Sequence, residues 1–132
     1  MVYEGIHCRL AIERPAERVI LVRLTGWDVG EFGEAPLREL DRLLEEGNGI
    51  SLFIDARAVK GATIDVSNEW AQWLRKRRHR LAQVSMLTGA PFVQLTAKFV
   101  QRFAELGETM RIYTDPAAFD AILNGDVPHL AE

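Results

Sequence analysis

The stretch Val19-Ile20-Leu21-Val22-Arg23-Leu24-Thr25-Gly26, answered further along by Ile50-Ser51-Leu52-Phe53-Ile54-Asp55, decides the fold. Both runs are short, β-branched and almost continuously apolar, the pattern of strands covered on both faces rather than on one. Between Gly33 and Gly47 lies a helix. Its Leu37, Leu40, Leu43 and Leu44 recur at the three-and-four spacing of one buried face, Pro36 stands in its first turn and Gly47 where a left-handed residue closes a helix. Strand, helix, strand in that order predicts a parallel pair.

Working outward from this unit, His7–Ile12 reads as a further strand, joined to the first run by the loop Glu13–Glu17 as an antiparallel hairpin. Downstream, Val66–Arg78 reads as a helix with Val66, Trp70, Trp73 and Leu74 on one face, and Leu81–Leu87 as a strand. Pro91 opens a helix to about Leu106 that is expected to bury Phe92, Leu95, Phe99, Phe103 and Leu106 before Gly107 ends it. Thr109–Tyr113 reads as the last strand, and Asp115-Pro116 starts a final helix that reaches Asn124-Gly125. The expected fold is therefore a single α/β domain over residues 1–125, in the order β-β-α-β-α-β-α-β-α. Its five-stranded sheet is mainly parallel with an antiparallel first strand and helices packed on it, and residues 126–132 form a tail.

Composition narrows the function classes. With 132 residues, 48% hydrophobic and 27% charged, the chain has the proportions of one globular domain with a core of its own. A formal net charge of -3 gives no electrostatic excess for nucleic acid. Cys8 is the single cysteine, so no internal disulfide forms, in keeping with a reducing cytoplasm. The longest uncharged run, Leu81–Ala97, is interrupted by Gln83, Ser85, Thr88, Pro91, Gln94 and Thr96 and does not read as a membrane span. Glu4, His7 and Arg9 break any leader-like apolar region.

The run from Val19 through Gly26-Trp27-Asp28, the leucine-striped helix and Ser51-Leu52-Phe53-Ile54-Asp55 resembles the STAS or SpoIIAA-like domains of sulfate transporters and anti-sigma-factor antagonists. Arg111-Ile112-Tyr113-Thr114-Asp115-Pro116 is similar to the last strand and helix start of the SpoIIAA-like branch. The resemblance covers nearly the whole chain and rests on packing and turn signatures. It implies a non-enzymatic bacterial signalling module with a protein partner, either a regulatory protein or a kinase-like anti-sigma factor, and copies of such domains often pair. It also implies a phospho-acceptor at the start of the second helix, where Ile64-Asp65-Val66-Ser67-Asn68 places Ser67. Asn68 and Glu69 stand where that pattern has glycine and a small apolar residue. The alternative for this segment is structural: Asp65 or Ser67 caps the helix.

Other groupings carry less. Gly26, Gly30 and Gly33 are spaced Gly-x-x-x-Gly-x-x-Gly, which is not the dinucleotide fingerprint, and Trp27-Asp28 fills the place where a pyrophosphate needs bare backbone. The basic run Arg75–Arg80 complements a helix C-terminus and has no interleaved aromatic residues for stacking bases. No nucleophile, metal or phosphate-loop motif occurs, so neither enzyme activity nor a cofactor or metal is expected. The partner surface is expected around Trp27, Asp28, Asp55, Arg57, Asp65 and Asn68. A second expectation, a small-molecule or lipid site, places an apolar cavity under the helix carrying Trp70, Trp73 and Leu74.

Overall fold

The computed structural model describes residues 1–125, so the expected tail at 126–132 lies outside the described residues. Six strands form one sheet in the order of the chain: β1 (Val2–Glu4), β2 (Cys8–Ala16), β3 (Val19–Asp28), β4 (Ile50–Ala62), β5 (Leu81–Thr88) and β6 (Met110–Tyr113). The pairs β1–β2 and β2–β3 are antiparallel, and β3 through β6 run parallel. Four helices alternate with the parallel strands: α1 (Ala35–Leu44), α2 (Ile64–Arg77), α3 (Pro91–Phe103) and α4 (Pro116–Gly125).

Right-handed crossovers between strands added in sequence carry successive helices to the same side of the sheet. Here α1, α2 and α3 cover one face, where Leu40, Leu44, Ala71, Leu74, Ala97 and Val100 pack on Leu10, Ile20, Val22, Leu52, Ile54 and Val84. Past the last strand, α4 turns to the other face and seals a smaller core of Val19, Leu21, Phe53, Leu87 and Phe119. The apolar run of β3 thus serves both faces. Ile20 and Val22 point one way, Val19 and Leu21 the other.

The α/β class and element order agree with the sequence, with five local corrections. The sheet gains a sixth strand at its edge, because Val2–Glu4 pairs with Arg9–Ala11. The hairpin is tighter than expected: β2 starts at Cys8 and runs to Ala16, with Arg14 and Pro15 in a bulge, and Glu17-Arg18 alone make the turn with Arg18 at φ 61°. Trp27 lies in a strand rather than in a turn, because Gly26 does not stop β3. At φ 85° it stays in register opposite Cys8 with the His7 carbonyl in the place a Cβ would need, and the accompanying register shift falls on β4, between Val59 and Gly61. Asp55 does not end its strand, since β4 continues to Ala62 and takes in most of the presumed loop before α2. The fifth correction concerns α3. Its buried residues are Val93, Ala97 and Val100, continued by Ala104 and Leu106, whereas Phe92, Leu95, Phe99 and Phe103 face solvent.

Candidate functional site

The long β3–β4 pairing, which extends to Asp28 opposite Ala62, delivers the chain to the first turn of α2. The Thr63 amide donates to the Asp28 carbonyl at 3.0 Å, and the Thr63 hydroxyl then accepts from the Val66 amide at 3.2 Å. Thr63 is therefore the N-cap of α2. Asp65 and Ser67 are not the caps; Asp65 stands exposed in the first turn, where a carboxylate suits the positive end of the helix dipole. Ser67 is half-buried one turn in, and its hydroxyl donates to the Thr63 carbonyl at 3.0 Å. Asn68 is half-buried beside it in the chain.

Asp28 sits at the end of β3 with one carboxylate oxygen accepting from the Gly30 amide at 3.1 Å. Burial pushes its carboxyl above the ordinary aspartate value, and the neighbouring Glu31 charge adds to the rise. Glu31 experiences the same opposition from burial, but the amides of His7 and Ile6 donate to it at 2.9 and 2.8 Å and bring its carboxyl below the usual range. Glu31 thereby pins the connection between β1 and β2 to the start of the β3–α1 connection, a tie with no local sequence signal. Behind it, burial and then the Asp28 and Glu31 charges push the Cys8 thiol up to about 11, which leaves it a poor nucleophile.

Between α2, α3 and the sheet lies a cavity of about 80 Å³. Leu24, Ile54 and Met86 of the sheet line it, with Val66, Trp70 and Leu74 of α2 above them. Ser67 and Asp28 also reach it, so the phospho-acceptor candidate and the raised carboxyl share one opening. Trp73 does not line this space. Its indole N–H donates to Asp41 of α1 at 2.9 Å, and the Arg77 guanidinium lies over its ring while pairing with the same carboxylate.

The remaining candidate residues are divided. Trp27 is exposed and its ring lies on Gly61 of β4, where no side chain fits. Asp55 and Arg57 are turned toward α4: Arg57 donates to Asp55 at 3.0 Å and to Asp120 at 2.8 Å. The structure thus brings Asp28, Ser67, Trp70 and Leu74 together around the cavity and places Asp55 and Arg57 in a separate ion-pair network. The arginines of the basic run are engaged locally as well. Arg75 and Arg78 pair with Glu105, and Arg80 donates to the Leu44 carbonyl. Among the described residues no cluster of three His, Cys, Asp or Glu is arranged to hold a metal ion, and no helix is long and apolar enough to cross a membrane.

No family model and no curated protein matches the chain. Solved structures do. An uncharacterized protein from Shewanella loihica PV-4 with a SpoIIAA-like fold superposes with a TM-score of 0.61 at 14% identity, over 92% of this chain and 98% of that one. An anti-sigma factor antagonist from Mycobacterium paratuberculosis gives 0.58 at 14%, over 87% and 92%. The anti-sigma factor antagonist SpoIIAA in its unphosphorylated form gives 0.56 at 16%, over 86% and 95%, and Bacillus SpoIIAA in its phosphorylated form gives 0.55 at 17%, over 86% and 98%. The chain has the SpoIIAA-like fold.

Proposed function

We propose that this chain is a non-enzymatic regulatory module of the cytoplasm. It docks a protein partner through the end of the molecule where β3 and β4 meet α2, and phosphorylation of Ser67 switches that docking. The observation that carries the reading is the placement of Ser67 in the opening turns of α2, on a SpoIIAA-like fold whose namesake is solved with and without phosphate. Trp27, Asp28, Asp65 and Asn68 supply the contact surface around it, with the exposed indole of Trp27 as the anchor. Asp55 and Arg57, tied to Asp120 of α4, stand apart from this surface.

The chemistry of the switch is electrostatic. The Ser67 hydroxyl donates to a carbonyl of its own helix, so esterification removes that donor and puts up to two negative charges in its place. They arrive near Asp28, at an end of the molecule that also carries Asp65 and Glu69, where added negative charge repels an acidic partner face and desolvates poorly.

The alternative, an apolar small molecule held under Trp70 and Leu74, is not favoured, because the cavity there, at about 80 Å³, is well below the roughly 300–1,000 Å³ of ordinary ligand sites. Intact mass of the protein purified from its own cells separates the two. A covalent increment of about 80 Da that survives denaturation and disappears in Ser67→Ala is expected for the switch. An increment retained in Ser67→Ala, or none under any growth condition, overturns it, and a mass released on denaturation supports the bound ligand instead.

A further inference from the structure

Helix α3 is apolar on two faces, and it turns its larger residues outward. Inside, it spends Val93, Ala97, Val100 and Ala104 on the sheet. Outside, Phe92, Leu95, Phe99 and Phe103 stand 61, 65, 46 and 37% exposed. Three of the chain's six phenylalanines are on this one line. Spacings of three, four and four residues keep the four side chains on a single stripe about 16 Å long. Scattered exposed apolar residues are ordinary on a protein surface; a contiguous stripe of aromatic rings is not.

We infer that this stripe is the seam of a homodimer, formed by α3 against α3 of a second copy across a two-fold axis. Two observations select a second copy as the occupant. The spacing is self-complementary: with the helices antiparallel and the axis between Leu95 and Phe99, Leu95 meets Phe99 of the partner subunit while Phe92 meets Phe103 of the partner subunit. Such a same-patch-to-same-patch contact is what a two-fold dimer requires. The area is of the right order as well. The exposed parts of the four side chains come to about 400 Å², the apolar half of the roughly 800 Å² per partner that a stable interface buries. Charge supplies a polar rim around that centre. No carboxylate interrupts Pro91–Phe103, Lys98 and Arg102 flank the stripe, and at its end the Arg75 guanidinium lies 5.8 Å from the Phe103 ring while pairing with Glu105. None of the four stripe residues lines the cavity that Ser67 reaches, so the seam stands or falls independently of the proposed switch.

Sedimentation equilibrium on the full chain between about 1 and 200 µM tests it. Wild type is expected at twice the 14.9 kDa of one chain. Phe99→Glu and Leu95→Glu are each expected to weaken association at least about 10-fold, with unchanged far-UV circular dichroism, because a charge at the centre of the seam is buried without a partner. Ile122→Glu, exposed on α4 away from the stripe, is expected to remain dimeric. Phe99→Ser repeats the measurement should Phe99→Glu lose its helical signal. A wild type that is monomeric throughout overturns the inference, as does a dimer untouched by both stripe variants. So does a monomer that co-sediments with phosphatidylglycerol vesicles in a Phe99-dependent way, which would make the stripe a membrane face.

Discussion

Asp28 holds a charge where burial penalises it. Its carboxyl is raised, so the folded protein binds that proton more tightly than the unfolded chain does. The stabilisation linked to it is fully present below the unfolded value of about 3.8 and is lost as the pH climbs through the folded one. Asp28→Asn keeps an oxygen for the Gly30 amide and removes the charge. It is expected to raise the melting temperature at about pH 7, with the gain shrinking toward zero near pH 3. A gain independent of pH would show that burial of the charge is not the cause. The neighbouring residues show what the sequence could and could not reveal at this scale. Asp28 was legible as a polar residue after a glycine. That Trp27 continues a strand was not, since the reason is a carbonyl from His7, nineteen positions earlier in the count from Gly26, filling the volume of a missing Cβ.

At the scale of elements, the apolar periodicity placed every helix and every central strand, because a stripe at a fixed repeat depends only on residues a turn or two apart. What it did not decide was which way α3 faces. The sequence carries two stripes of the same period, Phe92-Leu95-Phe99-Phe103 and Val93-Ala97-Val100-Ala104, and the bulkier one is the natural choice for a core. The structure takes the slimmer one, which lets the helix lie close to the sheet. The far half of β4 was illegible for a related reason: Ala56-Arg57-Ala58-Val59-Lys60-Gly61-Ala62 has neither alternation nor bulk, and its strand character comes from pairing with Thr25–Asp28. Helix α2 has a sharper dependence on one residue. Thr63→Ala removes the hydroxyl that satisfies the Val66 amide and is expected to cost about 1 kcal/mol, read as a lower urea midpoint, with Thr63→Ser close to wild type. Equal losses in both variants would assign the effect to something other than the cap.

The whole molecule has two cores of unequal size. Three helices share the larger; α4 alone closes the smaller, where Phe119 packs edge-on against Phe53 and Tyr113 with no exposure of its own. Phe119→Ala is expected to destabilise the protein by about 3–5 kcal/mol, measured by chemical denaturation, since one side chain fills most of the contact between α4 and the sheet. A loss below about 1 kcal/mol would mean that α4 is held by its ion pair from Arg57 to Asp120 rather than by burial. The edges of the sheet are the three-residue β1 and the four-residue β6, too short to template long pairing with another chain. The order of the sheet bears on how the protein is made. Every strand is hydrogen-bonded only to the strands before and after it in the chain, so each one leaving the ribosome meets a partner that already exists. Synthesis can lay the sheet down from one edge to the other, with no later strand having to insert between two that are already paired.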